Sequence, residues 1–184
     1  MANSAVSICS NALVLLGDQP IASFTDGDTG SLVANQLYTT TYHAMLTETL
    51  WHFATRTENL VQLTDKPKNN YKYKYQLPSD LLYIVSADCT RYEVYERELY
   101  SDMPKVQIEM IYPVDEMNLP SYFAKALEYN LASLFAIPIT GNATRADYYR
   151  SLYELELKRA KRADASQRPG YKMGEDRLLA VRNV

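Results

Sequence analysis

The apolar residues of this chain change their spacing twice, and that change restricts the fold more than any other feature. Near both ends they recur every three or four residues, as one face of a helix does. Between about residues 53 and 118 they recur every second residue, as one face of a strand does. A chain with this pattern cannot be a single bundle or a single sheet. It must place helices from both ends beside a strand-rich insert.

The first helical stretch carries Ala5, Ile8, Cys9, Ala12, Leu15 and Leu16 on one stripe, stopped by Gly17 and Pro20. Asp18 to Gly30 is turn chemistry, with Asp28 or Thr29 as the expected cap of a second helix over about Ser31 to Leu50. Val33, Leu37, Ala44 and Trp51 point within about 40° of one direction there. After Trp51, the residues Phe53, Thr55 and Thr57 alternate as in a strand. Tyr71, Tyr73 and Tyr75 do the same against Lys72, Lys74 and Gln76. Pro78 to Asp80 turns the chain into Leu81–Ala87, and a hairpin is expected to turn near Ser101–Pro104 and return through Val106, Ile108 and Met110.

Leu119-Pro120-Ser121 opens a third helix with an expected buried face of Phe123, Ala126, Leu127, Asn130, Leu134 and Ile137, disturbed by Pro138. Asn142 is the expected N-cap of a fourth, over about Ala143 to Ala163, antiparallel to the third. Tyr148, Leu152 and Leu155 lie on one side of it, with Tyr149, Tyr153 and Ala160 beside them. The expected fold is therefore α+β. A four-helix bundle-like body (1–52 and 119–164) carries an inserted small antiparallel β domain (53–118) and an extended C-terminal tail (165–184).

Charge is unevenly spread. From Leu155 onward eight basic residues face four acidic ones, a balance of +4, which leaves -7 for the rest of a chain whose total is -3. A basic tail on an acidic body suits a docking arm for an acidic partner. No run approaches the roughly 18 apolar residues of a membrane span. The N-terminal apolar stretch lacks a basic lead-in and has a helical rhythm, so it reads as a mature helix rather than a secretion signal. Cys9 and Cys89 have neither a CxxC partner nor a nearby His, which suits two reduced thiols in a protein made in a reducing cytoplasm.

No phosphate-loop, dinucleotide, zinc-protease or nucleophile-elbow motif is present, and no cofactor, metal or catalytic residue is expected. His43 and His52, nine apart, would face opposite sides of a continuous helix. The Asp26–Gly30 turn lacks the closing acid of a calcium loop and reads as a turn with a helix cap. Sixteen Tyr against four Phe favour surfaces where a ring is half buried and its hydroxyl is wet. Stacking of single-stranded bases on Tyr71, Tyr73 and Tyr75 is disfavoured, because Lys72 and Lys74 point to the other face.

Three stretches carry a resemblance. They are SICSNALVLLGDQPIASFTDGDTGSLVANQLYTTTYHAMLTETLWHFATR at the start, YKYKYQLP before an aliphatic strand and a Tyr-Glu hairpin, and LPSYFAKALEYNLASLFAIPITGN. Over about residues 2–165 the chain resembles the phage tail tubular protein A family, the head-to-tail adaptors (connectors) of tailed phages and prophages. The resemblance implies a structural virion protein at the head-tail junction, with no enzymatic activity. It would form a ring of about twelve copies between the portal protein and a tail nozzle or other tail-completion protein, and genome DNA would pass through the lumen without specific binding. The tail residues Arg168, Tyr171, Lys172, Met173, Arg177, Leu178, Leu179 and Arg182 are expected to dock on the portal. Tyr95, Glu96, Arg97, Tyr100 and Met103 are expected to meet the ring neighbour or the next tail component. Two rival readings stand beside it. One is a nucleic-acid-binding module using the basic segment Arg159 to Arg182; the other is a virion cell-wall glycosidase using Glu48, Glu96 and Glu98.

Overall fold

A computed structural model describes residues 3–65, 67 and 70–167 of the chain. The elements run α1 (Ala5–Leu15), α2 (Thr29–Thr47), a 3-10 turn at His52–Ala54, β1 (Thr55–Asn59), β2 (Val61–Gln62), β3 (Tyr73–Gln76) and β4 (Tyr83–Ala87). They continue through β5 (Tyr92–Tyr95), β6 (Glu98–Ser101), β7 (Gln107–Ile111), a 3-10 turn at Glu116–Asn118, α3 (Ser121–Thr140) and α4 (Ala143–Ser166). Among the described residues the architecture is α+β, with four helices and two small antiparallel sheets.

Local chemistry sets the helix ends. Ser4 and Ser7 form a reciprocal capping box at the start of α1: the Ser4 N–H donates to the Ser7 hydroxyl at 2.8 Å and the Ser7 N–H to the Ser4 hydroxyl at 3.1 Å. Gly17 adopts φ +80° just past its end, a conformation that glycine reaches without a Cβ penalty. Asp28 occupies the N-cap of α2, but its side chain makes no capping bond; instead the Ser31 hydroxyl donates to the Asp28 carbonyl at 2.9 Å. Helix α3 is not ended by Pro138. It runs on to Thr140 and stops at Gly141, whose N–H donates to the Ile137 carbonyl at 2.9 Å. Asn142 caps α4 by accepting from the Arg145 N–H at 3.1 Å, and α4 extends to Ser166, beyond the expected Ala163.

The first core gathers all four helices with Trp51, Ala54, Ile111 and Val114. Its centre is aromatic. Phe123 meets Trp51 and Phe53 in edge-on geometry with centroids 5.1 and 5.0 Å apart. The polar tips are satisfied: Trp51 Nε1 donates to the Met45 carbonyl at 2.9 Å and Tyr42 Oη to the Val114 carbonyl at 2.5 Å. Full burial of a side chain such as Phe123 contributes about 1.5–3 kcal/mol.

Two expected stripes are corrected. In α2 the buried face is Ala34, Tyr38, Thr41, Tyr42, Met45 and Leu46, while Ala44 is exposed and Val33 and Leu37 are half-buried. In α3 it is Phe123, Ala124, Ala126, Leu127, Leu131, Ala132, Phe135 and Ala136, with Leu134 and Ile137 exposed. Helix α3 packs on α1, α2 and α4 at once. Its small alanines let those neighbours approach, and the wide face they cover displaces the narrow stripe read from spacing. In α4 the buried residues are Leu157, Ala160 and Asp164, while Tyr148 and Leu155 are exposed.

The sheets run β1-β7-β4 and β2-β3-β6-β5. The first lies against the helical core through Ile111, Leu82 and Val85, so a boundary drawn at residues 53 and 118 crosses that core. The second sheet and β7 share a smaller core of Tyr75, Leu77, Leu99, Val106, Ile108 and Met110. The hairpin differs from expectation. Its turn is Glu96–Arg97, between β5 and β6, and β7 pairs with β1 and β4 instead of returning along it. Ser101–Pro104 carries the stronger turn residues, yet it only links β6 to β7 across the two sheets.

Candidate functional site

Of the five residues expected to make contacts, Tyr95, Glu96, Arg97 and Tyr100 lie in the β5–β6 hairpin at the edge of the four-stranded sheet, and Met103 follows β6 at the end away from the turn. Alternation along β5 and β6 puts Tyr95 and Tyr100 on the same outer face, where their rings meet edge-on with centroids 5.7 Å apart. Each hydroxyl donates to a carboxylate two residues away on its own strand, Tyr95 to Glu93 at 2.7 Å and Tyr100 to Glu98 at 2.5 Å. Glu98 also pairs with Lys74 of β3 at 3.3 Å. The Tyr100 hydroxyl and then Lys74 hold the Glu98 carboxyl below its ordinary range, while Glu98 raises Tyr100 and Glu93 raises Tyr95. Glu96 takes φ 54° in the two-residue turn, a left-handed conformation that costs a non-glycine residue about 1 kcal/mol. Arg97 leaves the turn sideways to donate to the Pro78 and Ser79 carbonyls at 2.7 and 2.8 Å. Met103 is exposed, and its carbonyl accepts from the Tyr75 hydroxyl at 2.5 Å. The result is an exposed pair of tyrosine rings whose hydroxyls are each held by a carboxylate of the same strand.

The structure separates the carboxylates named for glycoside hydrolysis. Glu48 follows α2, where it accepts from the Tyr153 hydroxyl at 2.7 Å and pairs with Lys161 at 3.2 Å. Glu96 and Glu98 sit on the hairpin, and a carboxyl held below its usual range is poorly suited to be a general acid. The tyrosines weighed for base stacking are mostly spent inside: Tyr75 and Tyr71 are buried, and Lys74 is held by Glu98. In the acidic turn, Asp26 accepts from the Ala22 and Ser23 N–H groups at 2.8 and 2.9 Å, so its carboxylate shapes the loop. Among the described residues no group of three or more His, Cys, Asp and Glu is placed to hold a metal ion. No described helix is long and apolar enough to cross a membrane. The expected portal-docking set, Arg168 to Arg182, lies outside the described residues.

One cluster escapes sequence reasoning. Asp164, only 2% exposed near the end of α4, accepts from the His52 N–H at 2.9 Å and bonds His52 Nδ1 at 2.8 Å through one oxygen. Its other oxygen accepts from the Tyr122 hydroxyl at 3.0 Å. Burial, and then the bond to Asp164, raise Tyr122 well above the ordinary tyrosine range. Asp164 thus caps the 3-10 turn at the root of β1 from a helix 112 residues later, and ties α3 to both. The three residues border an open cleft of about 470 Å³ with Phe53, Pro120 and Gln167. Its lining includes no serine, threonine or cysteine for the imidazole to activate. The clasp fixes the end of α4 against the root of β1 and against α3. Nothing local in the sequence signals it.

No protein-family model matches the chain, and no curated protein matches it either.

Proposed function

We infer that this chain is a structural head-to-tail adaptor of a tailed bacteriophage. It assembles as a ring of about twelve copies between portal and tail, as a conduit for genome DNA at the head-tail junction of the virion. The observation that carries the reading is the ordered resemblance of three stretches across residues 2–165 to the tail tubular protein A family. The fold is compatible with a helical body, of bundle type, that carries an inserted β domain. Helices from both ends share one core, and the strands between them build a second. An exposed pair of tyrosine rings, each held through its hydroxyl, suits a contact with the ring neighbour or the next tail component. The acidic balance of residues 1–154 suits a lumen that does not hold DNA phosphates during ejection.

The basic segment Arg168 to Arg182, which follows α4 in the sequence, is the portal-docking arm in this reading. Truncation after Gln167 tests it. The shortened protein is expected to keep its Trp51 fluorescence and its unfolding transition but to lose co-sedimentation with portal rings. Attachment that survives the truncation would remove the arm from the mechanism.

A further inference from the structure

Strand β5 ends the order β2-β3-β6-β5, and no strand among the described residues lies beyond it. Its hydrogen-bonding groups can be assigned from the ladder. The Leu77 N–H donates to the Arg97 carbonyl at 3.0 Å on the β3 side. Alternation then turns Leu99 and Ser101 towards β3, and Glu98 and Tyr100 towards β5. Tyr95 and Glu93, opposite those two, are satisfied inside the hairpin, so the N–H and C=O groups of Tyr92 and Val94 face away from the sheet. Open edges are usually guarded by proline, lysine or a bulge, and Tyr92–Tyr95 contains none of these.

The side chains along this edge are equally specific. Register places Tyr92 and Val94 on the face of Leu99 and Ser101, which are fully buried, yet Tyr92 and Val94 are themselves 38% and 41% exposed. The second core is therefore uncovered along β5. On the other face the charge is negative. Arg91 turns its Nε to the Tyr71 hydroxyl at 3.1 Å and Arg97 is held by Pro78 and Ser79, which leaves Glu93 and Glu96 beside the edge.

We propose that β5 is a docking edge for an extended segment of a partner protein in which apolar and basic residues alternate. Its backbone would complete the ladder at Tyr92 and Val94, its apolar residues would cover those side chains, and its basic residues would meet Glu93 and Glu96. The sheet already holds one such pairing. Strand β3, on the far side of β6, puts Tyr75 into the core and Lys74 against Glu98. The proposal rests on the hairpin being a contact surface, as inferred above, and not on the assembly being a phage tail.

The test uses the full chain and a synthetic peptide of alternating valine and lysine, read by amide hydrogen exchange along β5. Slowed exchange at Tyr92 and Val94 is expected. Binding should weaken about tenfold or more on Glu93→Lys, and likewise when alternate peptide amides are N-methylated. Val94→Pro should also abolish binding, since it removes an outward donor and spares the bonds to β6. The charge variant and the methylated peptide keep the test valid if that proline variant does not fold. No protection at saturating peptide, or binding indifferent to both charge and N-methylation, overturns the proposal. So does a doubling of mass without peptide that Val94→Pro abolishes, because the edge would then serve a second copy. Portal co-sedimentation is scored separately, so failure of either idea is recognisable.

Discussion

Trp51 and Phe123 meet edge-on at 5.1 Å with no exposed surface, and Tyr95 and Tyr100 meet edge-on at 5.7 Å at the surface of the β sheet. The geometry is similar, but what maintains it differs. Around Phe123, burial holds the rings, and any polar tip is tied to a backbone carbonyl. On the hairpin, two hydroxyl–carboxylate bonds hold the rings while water reaches them. Aromatic content alone does not separate core from surface, and neither does the polar partner, since the core residue Tyr38 also donates to a carboxylate, Glu116, at 3.0 Å; burial of the ring does. The helical core supplies stability, and the outer sheet supplies a preset surface.

The sharpest way to break this division is Phe123→Ala, which should cost about 3–5 kcal/mol in a denaturant titration followed by the single tryptophan. A loss below about 1 kcal/mol would mean that the helical core is not where stability resides. Asp164→Ala should cost about 1–3 kcal/mol, because half-buried donors at His52 and Tyr122 lose their acceptor. Alkaline pH tests the same core through Cys9, whose thiol burial pushes up to about 12 from 9.0. The folded state then keeps a proton that the unfolded chain gives up, so stability is full below pH 9 and falls as pH rises towards 12. Cys9 should account for about 1 kcal/mol of the fall between pH 9 and 10, read as the difference between the wild type and Cys9→Ala, while the raised tyrosines Tyr38, Tyr42, Tyr122 and Tyr153 leave a residual fall in the variant. An Ellman titration at pH 8 should find Cys89 reactive and Cys9 silent until the protein unfolds. The smallest effect belongs to the hairpin. Glu96→Gly should stabilise by about 0.5–1 kcal/mol by releasing the left-handed turn, and Tyr95→Phe should leave the unfolding midpoint unchanged.

The sequence made some of this division readable. Gly17, Gly141 and Asn142 mark helix ends because single residues can meet the backbone requirement there. The alternation of Tyr71, Tyr73 and Tyr75 marks a half-buried strand, realised in Tyr73–Gln76. The readings that missed involve tertiary choices. The buried face of α2 includes Ser31 and Thr41, which an apolar count passes over. In α3 the exposed Leu134 and Ile137 outrank the buried Ala132 and Ala136 on hydrophobicity, so an apolar count favours the wrong positions. The Glu96–Arg97 turn has no glycine or asparagine, so Ser101–Pro104 outweighed it. At the candidate site, Tyr95 and Tyr100 were visible as half-wet rings, whereas the bond between His52 and Asp164 spans 112 residues and has no local trace.

The adaptor reading itself meets its most direct test in the mass of the full chain in solution, measured by light scattering alone and then with portal rings of the same phage. The expected result is a small species that converts on mixing to a portal-sized complex carrying about twelve added copies. No association at any ratio would contradict it and would send the basic C-terminal segment to a test against duplex DNA.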